Sequence, residues 1–144
     1  MQLSCKIIFI IKLFLKINRY NLIMNVETLA NEKNIKLTTA RKAILEILSN
    51  SNKPLCYDDV KDQLSMDKAT FYRNITKFED ENIINSFESN DKKRYFEILK
   101  TKHSHFICSS CSKIQCIHEK LDFNLEGYQV DNIIIKGICP NCLN

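Results

Sequence analysis

Two short pairs of cysteines carry the clearest chemistry in this 144-residue chain. Cys108-Ser109-Ser110-Cys111 and Cys139-Pro140-Asn141-Cys142 each set two thiols on one edge of a tetrahedron, and residues 112–138 separate them. Two such turns complete a closed four-cysteine site with Zn–S distances of about 2.3 Å. Four thiolates leave no position for water, so a zinc ion held there is structural and stabilises a segment too small to hold itself together. A thioredoxin-like CxxC centre needs a βαβ context, which the flanking sequence lacks. Seven cysteines in a chain without a cleavable signal peptide, four of them in CxxC pairs, fit metal ligation in a reducing cytoplasm better than a disulfide scaffold.

A second chemistry is read from charge distribution. The net charge of +4 is small, but Lys36, Arg41, Lys42, Lys53, Lys61, Lys68, Arg73 and Lys77 share one stretch, and Lys92-Lys93-Arg94 form a tighter cluster. Lys68, Thr70, Tyr72 and Arg73 stand at the start of a helical pattern, where a recognition helix needs groups that reach base edges or phosphates. Tyr72 suits a thymine methyl, and Arg73 a guanine edge or a phosphate. Lys92, Lys93 and Arg94 suit the DNA backbone or the minor groove. The plainer reading is a solvated helix face. With two glycines and two prolines there is no GxxxxGK[ST] or GxGxxG loop, and no HExxH or Ser/His/Asp pattern supports hydrolysis, so the chain reads as a non-enzyme.

The elements that must position these groups follow from periodicity. Ala40, Ala43, Ile44, Ile47 and Leu48 share one face of a helix over residues 38–50, with Thr38 or Thr39 as its cap. A short helix precedes it around residues 26–33, and another begins at Asp58. Asp67 caps a further helix from Lys68 to about Asn82 whose buried stripe is Phe71, Ile75 and Phe78. Residues 83–89 and 94–99 read as a β-hairpin with its basic residues at the tip, and beyond Lys100 the texture turns to short strands at 105–108, 113–117 and 133–136. The expected fold class is α+β: a winged-helix DNA-binding domain over 24–100, then a small α/β dimerisation domain with the four-cysteine zinc site over 101–144. Within residues 1–23 the apolar run from Ile7 to Ile17 is interrupted by Lys12 and Lys16 and is too short to span a bilayer, and the segment reads as an extension upstream of Met24 or as a membrane-surface anchor.

Taken in order, the motifs Leu37-Thr38-Thr39-Ala40-Arg41, Ala69-Thr70-Phe71-Tyr72-Arg73, Arg94-Tyr95-Phe96-Glu97, His103-Ser104-His105-Phe106-Ile107-Cys108 and Gly137-Ile138-Cys139-Pro140-Asn141-Cys142 resemble the signatures of the ferric uptake regulator family. The resemblance implies a homodimer that binds palindromic, AT-rich operator DNA, usually as a repressor. It implies DNA contacts from Tyr72 and Arg73, a helix bearing Arg41 that approaches the DNA backbone, structural zinc on Cys108, Cys111, Cys139 and Cys142, and a regulatory metal on Glu97, His103 and His105.

The chain also departs from that pattern. The family's histidine near Lys53 or Pro54 is absent, Cys116 stands where an acidic ligand is common, and the stretch between the CxxC pairs is short, which trims the expected dimerisation helix. Three readings of the second site follow: a set of Glu97, His103, His105 and Cys116 with Cys56 or His118 as a further ligand, holding Fe2+, Mn2+ or Zn2+; a regulator that has lost metal control; or a response to peroxide. A zinc-ribbon module that recognises a protein partner is the alternative from a different class.

Overall fold

The computed structural model of the chain describes residues 25–121 and 125–143, so the expected 1–23 extension lies outside the described residues. Helix α1 (Val26–Glu32) starts at Asn25, whose side chain accepts the Glu27 N–H at 2.9 Å. Helix α2 (Thr39–Asn50) starts at Thr38, which accepts from the Arg41 N–H. Each cap satisfies a donor that the first helical turn leaves unpaired. The buried face of α2 is Ile44, Leu45 and Leu48, rotated slightly from the expected stripe so that Ala43 and Ile47 lie on its flank. Strand β1 (Leu55–Cys56) runs into the short helix α3 (Tyr57–Val60) and a 3-10 turn, Lys61–Gln63.

Helix α4 (Lys68–Asp80) begins where Asp67 accepts the Thr70 N–H at 2.7 Å. Its expected stripe of Phe71, Ile75 and Phe78 is buried. It stops two residues before Asn82, because Asn82 takes a left-handed φ of 53°. The Ile83 N–H then returns to the Phe78 carbonyl at 2.9 Å and that of Asn82 to Glu79, a Schellman closure clamped by the buried Phe78 and Ile83 side chains.

Strands β2 (Ile84–Glu88) and β3 (Arg94–Ile98) form the hairpin, and a three-stranded antiparallel sheet runs in the order β1-β3-β2. Phe96 and Ile98 on one face of β3 meet Phe71, Ile75 and Phe78 of α4, with Phe71 and Phe96 edge to face at 5.6 Å. Helices followed by a β-hairpin wing, on one apolar core, make a winged-helix arrangement within a mixed α+β chain. Because successive β-strand side chains alternate, the inward Phe96 and Ile98 turn Glu97 to the opposite face.

A second sheet has the order β5-β4-β6, with β4 (Ser104–Cys108) antiparallel to β5 (Ile114–Ile117) and parallel to β6 (Ile134–Gly137). The crossover to β6 carries no helix among the described residues. No helix among the described residues is long and apolar enough to cross a membrane.

Phe78 is fully buried between α4 and the sheet, so Phe78→Ala is expected to lower the unfolding free energy by about 3–5 kcal/mol. Urea titration should show a lower midpoint at an unchanged m-value; an unchanged midpoint would contradict this packing.

Candidate functional site

Parallel pairing of β4 with β6 places Cys108 opposite Gly137, and the chain turns at Cys139 two residues later. The Cys139 N–H donates to Cys108 Sγ at 3.4 Å, and the left-handed Ser112 closes the knuckle after Cys111. The sulfurs of Cys108, Cys111, Cys139 and Cys142 all lie within 4.8 Å of one another, and those of Cys111 and Cys139 stand 3.9 Å apart. A tetrahedral ion with bonds of about 2.3 Å needs sulfur-sulfur edges of roughly 3.8 Å, whereas a disulfide needs about 2.05 Å. The spacing is that of ligands sharing one ion. Backbone N–H groups of Cys111 and Cys139 aimed at Cys108 hold its thiol down at about 6. A bond from Ser110 favours the thiolate of Cys142, yet the crowding sulfurs of Cys139, Cys111 and Cys108 push that thiol up to about 12. Four sulfurs within 4.8 Å of one another repel as thiolates unless a cation lies among them, so the donor set fits a divalent, sulfur-seeking ion.

The second cluster joins the two sheets. Glu97 comes from β3, His103 and His105 from the start of β4, and Cys116 from β5. His103 and His105, two residues apart, point to the same face of β4, and Cys116 is the cross-strand partner of His105. One oxygen of Glu97 is 3.3 Å from His103 Nε2 and 3.2 Å from His105 Nε2, and the four ligand atoms lie within 4.8 Å of one another. His103 Nδ1 sits 3.0 Å from the Thr101 carbonyl, which only accepts, so Nδ1 carries the proton of the neutral ring. Its Nε2 lone pair then faces a carboxylate and has no hydrogen-bond partner. A lone pair facing an anion in a buried site, on a ring oriented from behind by a carbonyl, is the arrangement of a metal-ligating histidine. Burial works against the charge on Glu97, but hydrogen bonds with His105 and Asn85 hold its carboxyl below the usual range. Burial, with the Glu97 charge adding to it, pushes the Cys116 thiol up.

The basic surface lies on the far side of the first sheet. Lys68 lies 5.5 Å above the Tyr57 ring and 6.0 Å from that of Tyr72, and Tyr72 itself leans edge-on against Phe96. Arg73 is exposed on α4. The Thr70 hydroxyl contacts the Asp67 carboxylate at 3.3 Å and so belongs partly to the helix cap. Arg41 is engaged differently from a bare phosphate contact: Nε donates to Asn74 Oδ1 of α4 at 3.0 Å and Nη1 to the Lys36 carbonyl at 2.9 Å. Arg94 likewise folds back onto Glu79 at 2.5 Å and over the Phe96 ring, away from the wing tip. Lys92 occupies that tip with a left-handed φ of 58°, and Lys93 pairs with Asp58 at 3.0 Å.

Of the further ligands considered, Cys56 is buried in β1 at the cap of α3, in neither cluster, because its N–H is tied to Asp59 and its strand faces Tyr95. The His118 ring is 4.9 Å from that of His103, beside the second cluster. Two residues beside the clusters carry no signal in the sequence: Phe87, whose ring lies 4.5 Å from that of His105, and Asn90, which reaches the Cys108 carbonyl at 3.4 Å. Both contacts run from the wing to β4, a long-range packing that no local pattern announces.

Residues 32–132 match the model of the ferric uptake regulator family. The chain is similar to the peroxide operon regulator of Bacillus subtilis, 30% identical over 131 residues covering 81% of this chain and 90% of that protein. It is similar also to the peroxide-responsive repressor PerR of Staphylococcus saprophyticus, 30% identical over 125 residues covering 75% and 82%. The ferric uptake regulator of Pseudomonas aeruginosa shares the fold with a TM-score of 0.63 at 18% identity, over 81% of this chain and 99% of that one. That of Helicobacter pylori does so with 0.61 at 20% identity, over 87% and 93%.

The link from Arg41 to Asn74 is a brace between α2 and α4. Arg41→Met keeps the aliphatic stem but loses both hydrogen bonds, and is expected to destabilise the fold by about 1–2 kcal/mol. Combined with Asn74→Ala it should cost less than the sum of the single changes; strictly additive effects in chemical denaturation would show that the two do not interact.

Proposed function

The chain belongs to the ferric uptake regulator family, and from that premise we propose that it is a cytoplasmic, metal-responsive transcriptional repressor that binds operator DNA as a homodimer. The observation that carries this reading is the cluster of Glu97, His103, His105 and Cys116, whose ligands come from both sheets. On this reading residues 24–100 form the DNA-binding domain and residues 101–144 the dimerisation domain. Glu97 is then the only ligand of the cluster from the first domain, and a divalent ion held by the four supplies the attraction that draws the two domains together. An ion that binds only the closed arrangement shifts the population toward it by its difference in affinity.

In the proposed DNA surface, Arg73, Tyr72, Thr70 and Lys68 at the head of α4 read the major groove, while Lys92 and Lys93 on the wing meet phosphates. Arg41 and Arg94 set the position of α4 and of the wing through Asn74 and Glu79. Zinc on Cys108, Cys111, Cys139 and Cys142 pins β4 to β6. Among the described residues, six of the seven large exposed apolar residues, all but Leu99, lie in the second domain, as expected of a surface that a second copy covers. A second reading, a peroxide response, draws on the relatives in Bacillus and Staphylococcus and requires a redox-active ion at the regulatory cluster.

The direct test is fluorescence anisotropy of the full chain on its own promoter DNA and on random duplex, with and without added divalent metal. Metal-dependent preference is expected, and its absence under every metal condition would sink the proposal. Arg73→Ala should weaken specific binding by about 1–3 kcal/mol, whereas Lys92→Ala and Lys93→Ala should weaken all sequences alike and each reduce the salt slope by about 1. Stripping zinc from the four-cysteine site is expected to melt the second sheet and dissociate the dimer, as followed by circular dichroism and sedimentation. A chain that stays folded and dimeric after complete stripping would contradict the assigned role of that ion.

A further inference from the structure

We propose that Cys116 is a true ligand of the regulatory cluster and that its thiolate makes the site a four-coordinate zinc site, so that the signal this repressor reads is zinc. The inference rests on the regulatory reading of the cluster given above and adds to it the identity of the metal and the part that the Cys116 thiolate plays in selecting it.

Register is the first argument. Cys116 stands directly across from His105 in the β4-β5 ladder, so its sulfur falls on the face that already carries both imidazoles. The four donors, one carboxylate oxygen, two imidazole nitrogens and one sulfur, are within 4.8 Å of one another. A tetrahedron of this size is complete without a ligand from the loop before β1.

The surroundings supply the second argument. A cleft of about 230 Å3 opens beside the cluster, its lining including Asn52, Lys53, Glu97, His103, Cys116 and His118. Glu97 is the only acid among the residues lining it, and Lys53 and Lys100 line it too. Iron or manganese, which favour oxygen-rich and higher coordination, would find one carboxylate here and no second acid among the lining residues. Zinc accepts sulfur, imidazole and a carboxylate oxygen at four-coordinate sites, and its double charge is balanced by Glu97 and the Cys116 thiolate. On binding, the Cys116 thiol releases its proton to solvent and the sulfur donates its electron pair to the ion, with no change of oxidation state.

Zinc has no redox chemistry, so a zinc-filled cluster does not respond to peroxide through oxidation of its metal, the route that the second reading above requires.

The test uses the full chain with the zinc of its four-cysteine site retained and the second cluster emptied, as verified by elemental analysis, and cobalt(II) as the probe. Stoichiometric cobalt is expected to give the intense visible bands of a tetrahedral ion together with a sulfur-to-cobalt charge-transfer band. In Cys116→Ser that charge-transfer band should vanish, and zinc affinity measured by chelator competition should fall by more than the roughly 10–100-fold that loss of an outer-shell partner costs. Cys116→Asp should restore binding but narrow the preference for zinc over manganese. Retained zinc and an unchanged sedimentation coefficient in both variants report that they are folded. Weak octahedral cobalt bands that Cys116→Ser leaves unchanged would overturn the role of Cys116 while leaving the cluster of Glu97, His103 and His105 standing. A wild-type chain that takes up no second metal of any kind would overturn both this inference and the regulatory reading beneath it.

Discussion

The second half of this protein is governed by the crowding of four sulfurs. They stand within 4.8 Å of one another at the ends of β4 and β6, where one thiol is held down near 6 and another pushed up to about 12. Negative charges that close together are balanced by a divalent cation between them. The sheet around it is three short strands, joined in part by a crossover without a helix among the described residues. So small a layer buries little apolar surface, and a metal clip substitutes for a core. The parallel pairing of β4 and β6, which needs a long connection, is the feature that such a clip secures.

Strand β4 is the line along which the parts communicate. His103 immediately precedes it, His105 lies near its start and Cys108 at its end, so both ligand clusters draw on one short strand. The wing leans on the same strand: Phe87 packs against the His105 ring, and Asn90 reaches the Cys108 carbonyl. Any change in how the histidines are oriented is therefore felt at the wing and, through Glu97, at β3. In the proposed function this is the physical route from metal occupancy to the placement of the DNA-binding surface.

That surface is held by polar braces whose role is geometric more than energetic. The pairs of Lys93 with Asp58 and Arg94 with Glu79 are partly exposed, and each such pair contributes little to stability. Their value is orientation. Arg94 ties the wing to α4, and Arg41 ties α2 to the same helix through Asn74. In the proposed function, fixing α4 and the wing on one scaffold keeps the separation of their phosphate contacts constant, as docking on a duplex requires.

Local chemistry is legible in the sequence. The caps at Thr38 and Asp67, the buried stripe of Phe71, Ile75 and Phe78, and the two CxxC turns follow from short-range rules of hydrogen bonding, helical period and ligand spacing. Periodicity alone carries α4 too far, because an asparagine in a left-handed conformation is only one of several ways to finish a helix, and here burial of Ile83 against Phe78 selects it. What folding alone decided is which distant residues meet. Glu97 joins the histidines because Phe96 and Ile98 turn inward; Cys116 joins them because the β4-β5 register sets it opposite His105; Cys56 is left out because its strand lies against Tyr95. Arg41 and Arg94 carry the same charge as Arg73, yet only the packing of α2, α4 and the wing turns those two into braces. Caps, periods and knuckles depend on neighbours a few residues away, whereas ligand sets and the partners of charged side chains depend on registers and interhelical contacts between residues far apart in the chain.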